Sequence, residues 1–86
     1  ESNLSYAEHK EQQKKIRKTE KIVKDSELKI ASMENRMAEL DLLLCNPGNA
    51  ADMTLVTEYT SIKQALDYEN ERWMEASEKL ESMQQL

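Results

Sequence analysis

The sequence predicts an all-α fold, two long helices forming an antiparallel coiled-coil hairpin with a short Asn-Pro-Gly turn. Three observations carry this reading. Apolar residues recur every seven positions through both halves of the chain, which is the heptad signature of paired helices. Helix breakers cluster once, at Cys45-Asn46-Pro47-Gly48-Asn49 near the middle. With one Gly and one Pro in 86 residues, the many turns of a sandwich or barrel have no residues to build them. Only 38% of the residues are hydrophobic and 5% aromatic. That is too little for a layered globule, in which the apolar share approaches half.

Ser5-Tyr6-Ala7-Glu8 reads as a capping box, with Ser5 as N-cap and Glu8 reaching back. Residues 1–5 are then a linker remnant and 6–45 the first helix. Ile16, Val23, Ile30, Met37 and Leu44 recur every seven residues, and Thr19, Ser26, Met33 and Leu40 stand three positions after the first four. Pro47 cannot donate to a helix and biases Asn46 away from the helical region, so the helix ends near Leu44 or Cys45. The turn spans 46–50, with Gly48 and Asn49 tolerant of left-handed backbone. Asn49 or Asp52 can cap a second helix over 51–85. There Tyr59, Leu66, Trp73 and Leu80 form one heptad series, and Leu55, Ile62, Glu69, Ala76 and Met83 the other.

In an antiparallel pair the numbers of facing residues add to a constant, and Leu44 with Leu55 sets it. The same register pairs Leu40 with Tyr59, Met37 with Ile62, Met33 with Leu66, Ser26 with Trp73, Val23 with Ala76 and Ile16 with Met83. Ser26 is small where Trp73 is large, which a two-helix seam needs to hold an indole. Ile30 faces Glu69, whose carboxylate is expected to turn outward. Glu34 with Lys63 and Arg36 with Glu58 are expected flanking ion pairs. His9 and Gln12 have no partner in this register. The first dozen residues are therefore expected to overhang a single hairpin, 1–86, that belongs to a larger chain.

Chemistry is sparse. His9 has no Cys or Asp placed to work with it, and a two-helix ribbon lacks the concave pocket of an active site. No catalytic, cofactor-binding or metal-ligating residue is expected, and the fragment reads as a non-enzyme. One cysteine excludes an internal disulfide and a Cys-based zinc site, and fits a reducing, cytoplasmic location. No apolar run approaches the roughly 18 residues of a membrane span. The methionines fall mostly at seam spacing, where they fill gaps.

The net charge of −5 conceals a split. Residues 1–45 balance nine acids with nine bases, whereas residues 46–86 hold eight acids and three bases. Within 10–24, seven bases meet only Glu11 and Glu20. Lys10, Lys14, Arg17, Lys21 and Lys24 step by 4, 3, 4 and 3 along one helical stripe opposite the seam, with Lys18 beside it. Such a stripe can follow a phosphate backbone and release counterions. No aromatic residue interleaves it, so contact through phosphates rather than stacked bases is expected. The alternative is a solvated face with local partners such as Glu20 to Lys24. Glu75, Glu78 and Glu81 lie across the seam near the same end and repel phosphate.

With these residues in view, the chain resembles the C-terminal domain of ABC-F ATPases, including the Uup-like branch. Leu4-Ser5-Tyr6 followed by a charged helix is similar to that domain's opening. Asn46-Pro47 sits where the family places an Asp/Asn-Pro turn, and Tyr68-Glu69-Asn70-Glu71-Arg72-Trp73 is similar to its Tyr-x-x-x-Arg-Trp segment. The likeness covers essentially the whole chain and departs in the first helix, whose turns are Lys-rich where many members are Glu- and Leu-rich. The resemblance implies a parent ATPase with two tandem ATP-binding cassettes that use ATP and Mg, without transmembrane segments, many members of which act on the ribosome. It associates the domain itself with DNA binding in the Uup-like branch. No Walker A, Walker B or signature motif lies in these residues, so no ATP-site residue carries over. Arg72 and Trp73 carry over as structural positions only.

The leading expectation is thus an accessory hairpin that contacts nucleic acid (DNA or ribosomal RNA) through Lys10, Lys14, Arg17, Lys18, Lys21 and Lys24. Its seam is anchored by Trp73, Tyr59, Leu66, Ile30 and Met37, and the cassettes of the same chain are its other partners. The fragment itself is expected to be a monomer that does not engage membranes. The competing expectation is a purely structural coiled coil for protein contact or dimerisation, to which outward-facing Leu28 and Leu42 would contribute apolar surface.

Overall fold

The computed structural model describes residues 5–85. Helix α1 spans Tyr6–Cys45 and helix α2 spans Met53–Gln84, packed along each other in a rod of 68 × 15 × 14 Å. The start of α1 follows from its first residues. Ser5 is extended, and its Oγ accepts from the Glu8 amide at 3.2 Å. The Glu8 carboxylate in turn accepts from the Ser5 hydroxyl at 3.1 Å, rather than from the backbone amide of the expected box. An acid in the first turn also suits the positive end of the helix dipole.

The turn is built by side chains. Asn46 is extended ahead of Pro47, as the proline ring demands. Its Oδ1 accepts from the Gly48 amide at 3.0 Å, and Asn49 Nδ2 returns to the Leu43 carbonyl at 3.1 Å. Two overlapping backbone turns, Asn49 to Asn46 and Asp52 to Asn49, close the reversal at 2.9 Å each. No described residue has a positive φ, so the left-handed conformations expected of Gly48 and Asn49 are not used. The second helix begins at Met53 rather than 51, because the Asp52 carboxylate takes the amides of Thr54 and Leu55 at 2.9 and 3.4 Å. Ala50 and Ala51 offer no such acceptor and remain in the turn.

Every a and d position from Ile16 to Leu44 and from Leu55 to Met83 is buried or half-buried. The heptad reading therefore gives the contact face of both helices. Tyr59, Leu66, Ile30, Met37 and Trp73 are all half-buried, since a two-helix seam leaves each layer open at its flanks. Leu40, near the turn, is the one apolar residue fully enclosed among those described. The remaining buried side chains are polar. Thr19 donates to the Lys15 carbonyl at 3.0 Å and lies 3.7 Å from Met83 Sδ.

Glu69 corrects the sequence reading. Its carboxylate does not turn outward; it is 5% exposed and accepts from the Ser26 hydroxyl, itself 2% exposed, at 2.6 Å. The small residue opposite the indole leaves room for this, and a buried acceptor is far less costly with a donor than without one. Trp73 lies across the same region, its Nε1 donating to Glu27 at 3.1 Å. Contacts of Ser26 with Glu69 and of Thr19 with Met83 fall one layer to either side of the facing partners, Trp73 and Leu80, as interdigitating side chains do.

Candidate nucleic-acid interface

Lys10, Lys14, Arg17, Lys18, Lys21 and Lys24 are all exposed on α1. The spacing of Lys10, Lys14, Arg17, Lys21 and Lys24 keeps these five on the side of α1 away from α2, whereas Lys18 stands toward one flank of the seam. Lys21 is tied to Asp25 at 3.1 Å. The other five form no ion pair among the described residues, and the pairing of Lys24 with Glu20 is not made. Lys10, Lys14, Arg17 and Lys18 in succession, and Lys24 beyond the paired Lys21, thus keep their donors turned to solvent, where a phosphate or carboxylate can reach them.

Two further groups join the stripe that the spacing did not reveal. Tyr6, 81% exposed, borders an open concavity with His9, Lys10, Gln13, Lys14 and Arg17. An aromatic ring therefore does stand beside the first stripe residues. Its signal was the four-residue step from Tyr6 to Lys10. On one flank, Lys15 and Lys18 share a shallow groove with Thr19, Ile22, Met83 and Lys79. Lys79 belongs to α2, so the basic surface crosses the seam, and only the register could have brought it there. His9 lines the first concavity, and none of the described residues that line it with His9 is an acid or a thiol.

The strongest charge contact lies elsewhere. The Arg36 guanidinium grips Glu58 through two parallel bonds, Nε to Oε2 at 2.7 Å and Nη2 to Oε1 at 2.9 Å, and reaches Glu39 at 3.2 Å. This fork holds the Glu58 carboxyl below its ordinary value of 4.5 and drives the Arg36 pKa upward. Glu34 and Lys63, the other expected flanking pair, make no ion pair. A flexible ammonium loses little by staying hydrated, whereas the planar Arg fork matches a carboxylate in two places.

Among the described residues no group of His, Cys, Asp and Glu is placed to hold a metal ion, and no helix is long and apolar enough to cross a membrane. Cys45 is exposed at the end of α1. Comparison of the chain with protein-family models, curated proteins and solved structures finds no match.

Proposed function

We propose that this hairpin is an accessory nucleic-acid-contacting domain of an ABC-F type ATP-binding protein, with DNA or ribosomal RNA as the polymer. The observation that carries the reading is the line of exposed cations from Lys10 to Lys24, five of them without an ion-pair partner among the described residues. Such a line suits the regular spacing of phosphates and gains affinity from released counterions. Lys15, Lys18 and Lys79 widen the basic surface on one flank, while Glu75, Glu78 and Glu81, all exposed on α2, keep the opposite side repulsive. Contact is therefore one-sided and weak alone. It gains strength when ATP-binding cassettes in the same chain hold the hairpin at its target and raise its effective concentration. ATP and Mg belong to those cassettes in this reading, and the hairpin supplies contact rather than chemistry.

The test replaces Lys14, Arg17, Lys21 and Lys24 together by Gln and measures binding to duplex DNA, single strands and ribosomes at two salt concentrations. Each neutralised phosphate contact should lower the log–log salt slope by about one. Lys21 should contribute least, because Asp25 already holds it. Binding to all three that survives the four substitutions unchanged would remove the stripe from the function.

A further inference from the structure

The basic stripe is half of a longer pattern. Beyond Lys24 the same 4-3-4-3 steps continue along the outer face of α1 through Leu28, Ala31, Asn35, Ala38 and Leu42, every one of them exposed. Leu28 and Leu42 are 71% and 76% exposed, although leucine at heptad spacing is what a helix presents to another helix. The outer face of α2 carries a second stripe with the same steps. Met53, Thr57, Thr60 and Gln64 make its neutral half, and Asp67, Glu71, Met74, Glu78 and Glu81 its acidic half. All of these are exposed as well.

We infer that the outer stripe of α1 docks antiparallel on the outer stripe of α2 of a second copy of this chain. Read in opposite directions, the nine positions of the α2 stripe match the first nine of the α1 stripe, and Leu42 extends past them toward the turn. Lys10, Lys14 and Lys24 meet Glu81, Glu78 and Asp67; Lys21, already held by Asp25 of its own helix, meets Glu71, and Arg17 meets Met74, flanked by Glu71 and Glu78 on either side. The neutral halves then coincide: Leu28 faces Gln64, Ala31 faces Thr60, Asn35 faces Thr57 and Ala38 faces Met53. This match fixes an offset. Within one hairpin Lys21 is level with Glu78, but between copies it faces Glu71, so neighbouring hairpins are displaced by one heptad, about 10 Å along the axis. Without the displacement Leu28 would face Glu71 and Ala31 would face Asp67, both unfavourable.

The contact joins different faces of the two copies, so it leaves each copy with one stripe unpaired and propagates as an open row rather than closing as a symmetric dimer. Exposed charge pairs are individually weak and screened by salt. The hairpin is accordingly a monomer when dilute and associates as concentration rises at low ionic strength. The inference does not rest on the nucleic-acid reading, although both use the face of α1 and a polyanion would compete with the second copy.

The test works in a Cys45→Ser background, which removes the exposed native thiol. Ala31→Cys protein is mixed under mild oxidation with Thr60→Cys protein, which the displaced register brings opposite, or with Asp67→Cys protein, which the undisplaced level would bring opposite. The expected result is a mixed disulfide dimer several-fold more abundant with Thr60→Cys, lost at about 1 M salt, where the screening length falls to about 3 Å. Sedimentation of the unmodified chain should show an average mass rising above 10.0 kDa with concentration at low salt. Equal yields from the two mixtures, an excess with Asp67→Cys, or a mass that stays monomeric at all concentrations would overturn the inference. All three substitutions lie at exposed positions, so far-UV circular dichroism of each variant should match the parent.

Discussion

Ser26→Ala and Glu69→Leu should move stability in opposite directions. In the native seam the Ser26 hydroxyl is the one donor among the described residues to the carboxylate of Glu69, a residue 5% exposed, at 2.6 Å. Ser26→Ala deletes that donor and leaves a buried acceptor without a partner, which costs about 1–3 kcal/mol. In a domain of this size about 2 kcal/mol lowers the melting temperature by roughly 10 °C. Glu69→Leu removes the acceptor and puts an apolar chain of similar length into a d position of the seam. The stranded Ser26 hydroxyl can turn to the carbonyl four residues back, as Thr19 already does to Lys15. Apolar replacement of a buried polar pair should stabilise by about 1–3 kcal/mol. Combining both substitutions should nearly restore the effect of Glu69→Leu alone, because Ser26 matters through the carboxylate it serves. The assay is thermal melting followed by far-UV circular dichroism. If Ser26→Ala melts with the parent, or Glu69→Leu melts well below it, the carboxylate is solvated and the buried pair is wrong.

Trp73→Ala should cost about 3 kcal/mol, the low end for a large aromatic because the indole is only half-buried. Trp73→Phe, which loses mainly the exposed bond to Glu27, should cost far less, and equal melts for parent and Trp73→Ala would show that the ring does not pack. Cysteines at Met37 and Ile62, in a Cys45→Ser background, should form an intramolecular disulfide, whereas a dimer-linking disulfide would refute the hairpin register. Glu58→Gln tests the Arg36 fork through pH. Because Glu58 titrates below 4.5 in the folded chain, its stabilisation is complete above the unfolded value and is lost as pH falls through the depressed one. The melting temperature of the parent should exceed that of Glu58→Gln at neutral pH, with the gap closing in acid; a gap independent of pH would place the fork's effect outside ionisation.

The helices were legible because their determinants are local and repeated. The contact face follows from heptad positions alone, and the break at Asn46-Pro47 from backbone sterics. What escaped the sequence depended on choices a side chain makes only in three dimensions. A glutamate at a seam position could snorkel or turn inward, and the decision fell to Ser26, which is far away in the chain yet supplies a donor in a gap small enough to need one. Asp52 outcompeted Asn49 as cap because Asn49 was already engaged with Leu43 and Asn46 in the turn. Lys79 joined Lys15 and Lys18 only through the register. Charge on the stripe was legible, but its pairing was not, since Asp25 and Glu20 are both in reach of helix neighbours and only Lys21 with Asp25 formed.

These features distribute stability unevenly along the rod. Near the turn the seam is apolar, with Leu40 fully enclosed and Arg36 clamping the helices through Glu58. Toward the other end the buried positions are Glu69, Ser26 and Thr19, polar groups that do little more than offset their own desolvation. The cations from Lys10 to Lys24 stand on that same end of α1, and like charges one helical turn apart repel. Seam and stripe therefore weaken the same segment, while the clamp and the enclosed leucine keep the turn end in register. A ligand that lays negative charge along the stripe, whether phosphates or the acidic face of another helix, removes the repulsion where the seam is least able to absorb it. Binding and folding are thereby linked at the open end, because whatever occupies the stripe favours the helical state that presents it.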